Sequence, residues 1–330
     1  SAIIPGMEAG FTLFIFIGLA LILALANLER QVPAMRWLVL LALVGLNLLM
    51  AFFGLLSLAM SATPATALPG GGSAEAMTAL ARAVGLTGLL AFVPMIPAVR
   101  RLLARWLPID PTSVVTTTAL VYAVYLVGTG IGQQPVMSDP AVLQELGGVS
   151  VSMAAIWAQA IGMMLIAVSG VGLFTRRTLR ETAERLGLRV PTWRQVGFGL
   201  LVTVGLLALQ IAFSQAWLAL DPAGMQQIDE AGTLLLGELT GLGGALTIGL
   251  AAALGEEMIF RGAMLPPFRL ALTSALFTII HSQYGLSPAS LLILVIAVVL
   301  GLVRYRTNLT IAILVHFAYN FSSVLLAGLG

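Results

Sequence analysis

Gly255-Glu256-Glu257-Met258-Ile259-Phe260-Arg261 stands near the end of a long apolar run covering 233–265 of this 330-residue chain. Two adjacent carboxylates and a guanidinium occupy a stretch that otherwise reads as lipid-embedded helix. A charge at the bilayer centre costs about 2.5–3.5 kcal/mol on insertion scales, so charges kept there are functional candidates. The composition around the stretch says that a bilayer is the setting. The chain is 59% hydrophobic and 9% charged, with a mean hydropathy of +1.03, whereas a soluble domain carries about 45–50% apolar and about 25% charged residues. The fold class is therefore an all-α polytopic membrane protein.

Composition also excludes several chemistries. There is no cysteine, hence no disulfide, thiol nucleophile or thiolate metal site. All sixteen basic residues are arginine, so no lysine Schiff base can form. A net charge of +2, dispersed along the chain, gives no footprint for nucleic acid. Residues 1–9 carry no positive charge, and the run Gly10–Asn27 exceeds a signal-peptide core. Ala24-Leu25-Ala26 mimics a cleavage site, but a first membrane span is the better reading.

A bilayer core of roughly 30 Å needs about 20 apolar residues per helix. Runs of that kind lie at 10–27, 37–60, 77–99, 113–132, 149–174, 196–219 and within 233–265. Shorter ones follow at 270–283 and 288–303, and a last at 308–327, giving about ten hydrophobic helices. The arginines set the orientation. Connections 28–36, 100–112 and 175–195 carry them, as do Arg269 and the Arg304/Arg306 pair, while 61–76, 133–148 and 220–232 carry none. Arginine-bearing loops are thus expected in the cytoplasm and both termini outside. The arginine-rich segment 176–194 is amphipathic and is expected at the headgroup level, ended by Gly187 and Pro191. It divides an N-terminal membrane region, 1–185, from a C-terminal core, 186–330, that holds the polar residues.

The chain has two histidines, His281 and His316, and both fall in the last apolar helices. Either alone is explained by an interhelical hydrogen bond worth about 0.6 kcal/mol. Both together, in one quarter of the chain with Glu256, Glu257, Arg261 and Asn320, point to a site. Residues four apart share a helix face. Glu257 and Arg261 form such a pair and can neutralise each other, which leaves Glu256, rotated by about 100°, free to point elsewhere. His316 and Asn320 share a ridge by the same spacing, and Phe277 supports His281. At 1.5 Å per residue, Glu256 and His281 lie about 20 Å and 18 Å from Arg269, and His316 and Asn320 about 15 Å and 21 Å from Arg306. All four fall at comparable depth, with Pro266 and Pro267 expected to end the first helix early. The runs 270–283 and 288–303 are too short to cross fully, and their polar turn, Ser282-Gln283-Tyr284-Gly285, is expected to border a hydrated crevice.

A glutamate, two histidines and an amide at one depth suit hydrolysis. Glu256 would act as general base on a water positioned by His281, and His316 and Asn320 would donate hydrogen bonds to the oxyanion. Equally, Glu256, His281 and His316 form a His₂Glu set that could hold zinc. At these residues the sequence resembles the CPBP family of CAAX-protease and bacteriocin-processing, Abi-like intramembrane endopeptidases. Three motifs carry the resemblance: E-E-x-x-x-R at Glu256-Glu257 to Arg261, F-x-x-x-H at Phe277 to His281, and H-x-x-x-N at His316 to Asn320. Phe260 and Gly262 look like the family pattern too.

The resemblance covers about residues 235–325. It implies peptide hydrolysis in or near the membrane, with Glu256, His281, His316 and Asn320 as active-site positions. Its implied partners are membrane lipid and a membrane-associated peptide or protein, and its setting is a bacterial inner membrane. Both a metalloprotease and a metal-free glutamate mechanism are proposed for the family. The chain carries about five more N-terminal helices than a minimal member. Two other classes fit a ten-helix protein with buried charges: a secondary transporter coupled through Glu256 or Glu257, and a non-catalytic scaffold for a partner's membrane helix.

Overall fold

The computed structural model describes residues 7–61, 71–145, 151–237, 239 and 241–327. Within them the chain is helical, with an isolated bridge between Leu173 and Arg177 and no strand. The N-terminal part holds α1 (Met7–Leu28), α2 (Met35–Ser61), α3 (Gly71–Leu90), a short α4 (Pro97–Leu103), α5 (Val114–Met137), α6 (Pro140–Glu145) and α7 (Met153–Val171). A small α8 (Leu179–Leu186) leads to α9 (Trp193–Leu220) and α10 (Pro222–Leu236). Then α11 (Gly241–Glu256) passes into a π-helical segment (Glu257–Met264) and on into α12 (Leu265–Ile279). A single 3₁₀ turn, Ser282–Tyr284, precedes α13 (Pro288–Arg306) and α14 (Leu309–Ala327). Among the described residues nine helices are long and apolar enough to cross a membrane. The outer faces bear large exposed apolar side chains such as Phe14, Leu41, Phe52 and Leu201, as a lipid-facing surface requires.

The expectation of about ten helices differs from nine for a local reason. Gly241–Ile279 is continuous for 39 residues. The Pro266/Pro267 pair does not stop it: the π segment runs straight into α12, and the Gly262 carbonyl that the missing N–H groups leave unpaired accepts from Arg185 instead. The break comes at Arg269, whose φ of 59° and ψ of 172° are not helical. Such a conformation in a non-glycine residue is strained by about 1–3 kcal/mol and persists only where packing holds it.

Other boundaries also moved. The run 77–99 is not one helix: α3 stops at Leu90, and Pro94 and Pro97 open a 3₁₀ turn and α4 in its place. The connection 220–232, expected as a link without arginine between two spans, is mostly α10, started by Asp221, whose carboxylate accepts from Gly224 N, with Pro222 in the first turn. Connection 133–148 holds the end of α5 and α6. Of the 61–76 linker, residues 62–70 lie outside the described residues, as do 146–150.

The arginine-bearing connections meet at one end of the bundle. Gln31 Nε2 donates to Thr175 O at 2.6 Å and Arg36 Nη2 to Thr112 O at 2.7 Å. Exposed Trp37, Trp106 and Trp193 ring the same end, where indoles favour a membrane interface. At this end α8 docks on the rest of the bundle. A capping box of Thr178 and Glu181 starts it, and Gly187, at φ 89°, ends it in the left-handed conformation. Leu186 is buried against the π segment, while Leu179 is exposed. Gly187 O accepts from Leu309 N at 2.9 Å, tying α8 to the start of α14. Asn308 caps α14 by accepting from Ile311 N at 3.1 Å, and its amide donates to Gln195 of the α9 cap at 3.2 Å.

Two close approaches fix the depth of the polar residues. At Gly130, α5 lies against the end of α12: a Cβ there would meet Ile279 O at 2.5 Å. At Gly255, α11 lies against α7, where a Cβ would meet Ala160 Cα at 2.8 Å. Small residues at such crossings let membrane helices pack backbone to backbone. Gly255→Leu is accordingly expected to lower stability by about 1–3 kcal/mol through overpacking. The same change at Gly243, which has open space around it, should leave the thermal midpoint in detergent nearly unchanged. Equal midpoints for the two variants would refute the close approach.

Candidate functional site

The π segment places the first pair of carboxylates. In it Leu265 N donates to Phe260 O, five residues back. A π turn inside an α-helix is costly and is found mostly at functional sites. The carbonyl of Gly262 would seek a donor four or five residues ahead, but these positions are Pro266 and Pro267, which have no N–H. Arg185 of α8 supplies one, donating from Nη1 to Gly262 O at 3.3 Å.

Arg261 lies four residues after Glu257, and both are buried. Arg261 Nη1 donates to Glu257 Oε1 at 2.8 Å, and Nη2 to Ala297 O of α13 at 3.0 Å. The guanidinium carbon sits 4.2 Å from the centre of the Phe277 ring, a cation–π contact strengthened by desolvation. The pairing expected from the spacing is present, but it is not all that Glu257 does. The same Oε1 accepts from His316 Nδ1 at 2.9 Å. One buried carboxylate oxygen thus joins the π segment to α14.

His281 is held differently. It stands just past α12, where helix carbonyls lose their partners. His281 N turns back to Thr278 O at 3.1 Å, which leaves Phe277 O to the ring: His281 Nδ1 lies 2.7 Å from it. A carbonyl can only accept, so Nδ1 carries the proton, and the four-residue spacing of Phe277 and His281 becomes a side-chain cap. Counting from Arg269, α12 has ten helical residues left, about 15 Å or half a membrane. The chain therefore turns at membrane depth. Buried Ser282 and the turn around it pack on α5 and α10, as non-helical backbone there requires. By contrast α13, extended to Arg306, has 19 residues and is long enough to cross.

These constraints converge on Glu256. His281 Nε2 and His316 Nε2 each lie 3.9 Å from Glu256 Oε2. That oxygen is buried and among the described residues has no hydrogen-bond partner, and neither does Glu257 Oε2. Phe277 is the floor of the site: its ring centre is 4.6 Å from that of His281, 6.0 Å from His316 and 5.3 Å from Phe260. Tyr284, a residue the spacing arguments did not single out, stacks on His281 at 6.3 Å with the rings nearly parallel at 12°. Its sequence signal was its place in the polar turn Ser282-Gln283-Tyr284-Gly285, three residues after the histidine. The structure thus brings together Glu256, Glu257, Arg261, Phe277, His281 and His316. Asn320 is half-buried one turn beyond His316, and among the described residues its side chain makes no hydrogen bond.

A zinc ion on a His₂Glu set would hold its donor atoms about 3.3 Å apart, given tetrahedral bonds of about 2.0–2.1 Å. From Glu256 Oε2 to each histidine Nε2 the separation here is 3.9 Å. Among the described residues no three His, Cys, Asp or Glu are placed to hold a metal ion. The residues as arranged do not fit a metal, and no step is derived through one.

The buried ion pair makes a stability prediction. Arg261→Met should cost about 3–5 kcal/mol, because it leaves Glu257 charged, buried and half-paired. Adding Glu257→Gln should recover part of that loss, since the second charge is then gone and the amide oxygen still accepts from His316. Unfolding of the single and double variants in detergent measures both, and a double variant less stable than Arg261→Met alone would show that the charges are not coupled.

Residues 238–322 match the family model described as Type II CAAX prenyl endopeptidase Rce1-like. The match covers about a quarter of the chain, includes all the residues of the site, and agrees with the resemblance carried by the three motifs. No curated protein and no solved structure matches the chain.

Proposed function

We propose that the chain is an intramembrane endopeptidase that hydrolyses a peptide bond of a membrane-associated protein or peptide, with Glu256 as the general base. The observation that carries this reading is the unpartnered Glu256 Oε2 with two imidazole Nε2 atoms at 3.9 Å. At the level of the family, the Rce1-like match supports a CAAX-protease-like enzyme in a lipid environment acting on a peptide. A CAAX-type C-terminal peptide, prenylated or not, is the first substrate to test.

The proton inventory gives each group a task. With Nδ1 protonated, a neutral His281 offers a lone pair at Nε2. A water with bonds of about 2.7–2.9 Å to Glu256 Oε2 and His281 Nε2 spans 3.9 Å at an angle of about 90°. Glu256 takes one proton from it, and the new C–O bond forms as the carbonyl π electrons move to oxygen. A proton on His316 Nε2 would supply one donor for the oxyanion, with the Asn320 amide as the second. When the C–N bond breaks, Glu256 returns its proton to the leaving nitrogen. Donors aimed at an oxyanion contribute roughly 3–4 kcal/mol each in known cases. Residues 186–330 would form the catalytic core, with the arginine end facing the cytoplasm of a bacterial inner membrane and both termini outside.

Glu256→Gln is expected to lower the cleavage rate of a membrane-tethered CAAX peptide by roughly 10²–10⁴-fold, the usual worth of a positioned base. Its thermal midpoint should stay level or rise, because an amide replaces a buried carboxylate oxygen that has no partner. Wild-type cleavage should survive a strong chelator. A variant cleaving within about twofold of wild type, at any chelator concentration, would remove Glu256 from the chemistry.

A further inference from the structure

On the arginine end of the bundle a cavity of about 570 Å³ opens between the N-terminal helices and the catalytic core. Its volume lies within the range of about 300–1,000 Å³ typical of small-molecule sites. Side chains of α1, α2, α5 and α7 form most of its wall, and Ile259, Phe260 and Ala263 of the π segment close it. Glu256, His281 and His316 do not line it. The lining is apolar over most of its length. Ile15, at the deep end, lies thirteen residues before Leu28, about 20 Å along α1, which exceeds one leaflet of a hydrocarbon core of about 30 Å.

The mouth is of the opposite character. Arg30, Asp110, Ser113 and Arg176 line this cavity and also an adjoining polar cleft of about 530 Å³. The two spaces are therefore one amphipathic site, with an apolar chamber under a polar vestibule. Three guanidinium groups, those of Arg30, Arg176 and Arg185, line the chamber against the single carboxylate of Asp110. Glu29 and Arg36 of the vestibule pair with each other at 3.4 Å. Asp110 is occupied by Thr112, whose N and Oγ1 donate to it at 2.9 Å and 2.7 Å. Among the described residues Arg30, Arg176 and Arg185 make no ion pair; Arg176 donates from Nε to Asn27 O at 3.0 Å and Arg185 reaches Gly262 O. The surplus is positive.

We infer that this cavity is a binding site for an anionic phospholipid from the leaflet on the arginine end, its acyl chain in the chamber and its phosphate on Arg30 and Arg176. Charge complementarity selects the headgroup, and the depth of the chamber selects a full hydrocarbon chain. The bound lipid would fill the seam between the N-terminal helices and the core, behind Phe260. The inference does not depend on the peptidase reading, and its test does not use cleavage.

The experiment is native mass spectrometry of the full-length protein with dioleoyl phosphatidylglycerol and dioleoyl phosphatidylcholine in equal amounts. Phosphatidylglycerol should be retained in clear preference, because both lipids offer a phosphate but only phosphatidylcholine also brings a quaternary ammonium into a mouth with surplus positive charge. Arg30→Gln with Arg176→Gln should abolish the preference, and a cooperative unfolding transition of the lipid-free variant shows that it is folded. Ala123→Phe, which fills the chamber, should exclude both lipids, and should it fail to fold, the arginine variant decides alone. Equal retention of the two lipids, or a preference unchanged in the arginine variant, would overturn the site as annular contact. Displacement of phosphatidylglycerol by a farnesylated peptide, mole for mole, would overturn it as a substrate subsite.

Discussion

One buried carboxylate oxygen, Glu257 Oε1, accepts from both Arg261 and His316, and the rest of the site depends on that sharing. Two fully buried charges in a bilayer persist only where they meet in good geometry. The guanidinium satisfies its other side on Ala297 O and lies over Phe277, so α13 and α12 are drawn to the same point. The second bond turns the His316 ring so that its remaining nitrogen faces Glu256. A structural ion pair thereby acts as the orienting group of a histidine, as carboxylates do for catalytic and metal-bound imidazoles.

The backbone around that oxygen is irregular, and each irregularity has a partner that makes it tolerable. The π turn offsets the carboxylates from the regular α register, and two prolines deprive Gly262 O of a main-chain donor. The small helix α8 repairs this with Arg185 and seats Leu186 against the segment. Further along, α12 stops at Ile279, and His281 caps the carbonyl of Phe277 that the stop exposes. The helix end thus positions the imidazole. The same ring that packs under Arg261 also packs against both histidines, so Phe277 couples the ion pair to the face that carries Glu256, His281 and His316.

The spans of this protein were legible because hydropathy over about 20 residues is a strong signal, and the arginine alternation marked one end of the bundle correctly. The pairing of Glu257 with Arg261 was legible because it lies within one helix. Its bond to His316 was not, since it joins residues 59 apart in the chain and local spacing carries no information about it. Giving His316 the part of a simple donor missed that its Nδ1 is already committed to Glu257. The segment 176–194 read as amphipathic, but the contacts that seat α8, namely Leu186 against the π segment, Arg185 on Gly262 O and Gly187 O on Leu309 N, join residues far apart in the chain. Arg269 shows the limit most plainly: nothing in an arginine announces a positive φ, and the prolines beside it drew attention to the wrong residue. Helix α10 was missed although Asp221 and Pro222 are ordinary start signals, because the hydropathy that found its neighbours is weak there.

With two histidines in the chain, the arrangement can be read without crystals. Nitrogen-15 spectra of histidine-labelled protein in lipid resolve the two rings and report which nitrogens carry protons. Both rings should be protonated at Nδ1, and Glu256→Gln should move the Nε2 resonances of both while leaving the Nδ1 resonances in place. A neutral ring with its proton on Nε2 and a bare Nδ1, at either position, would contradict the claim that Glu257 and Phe277 turn the two imidazoles toward Glu256.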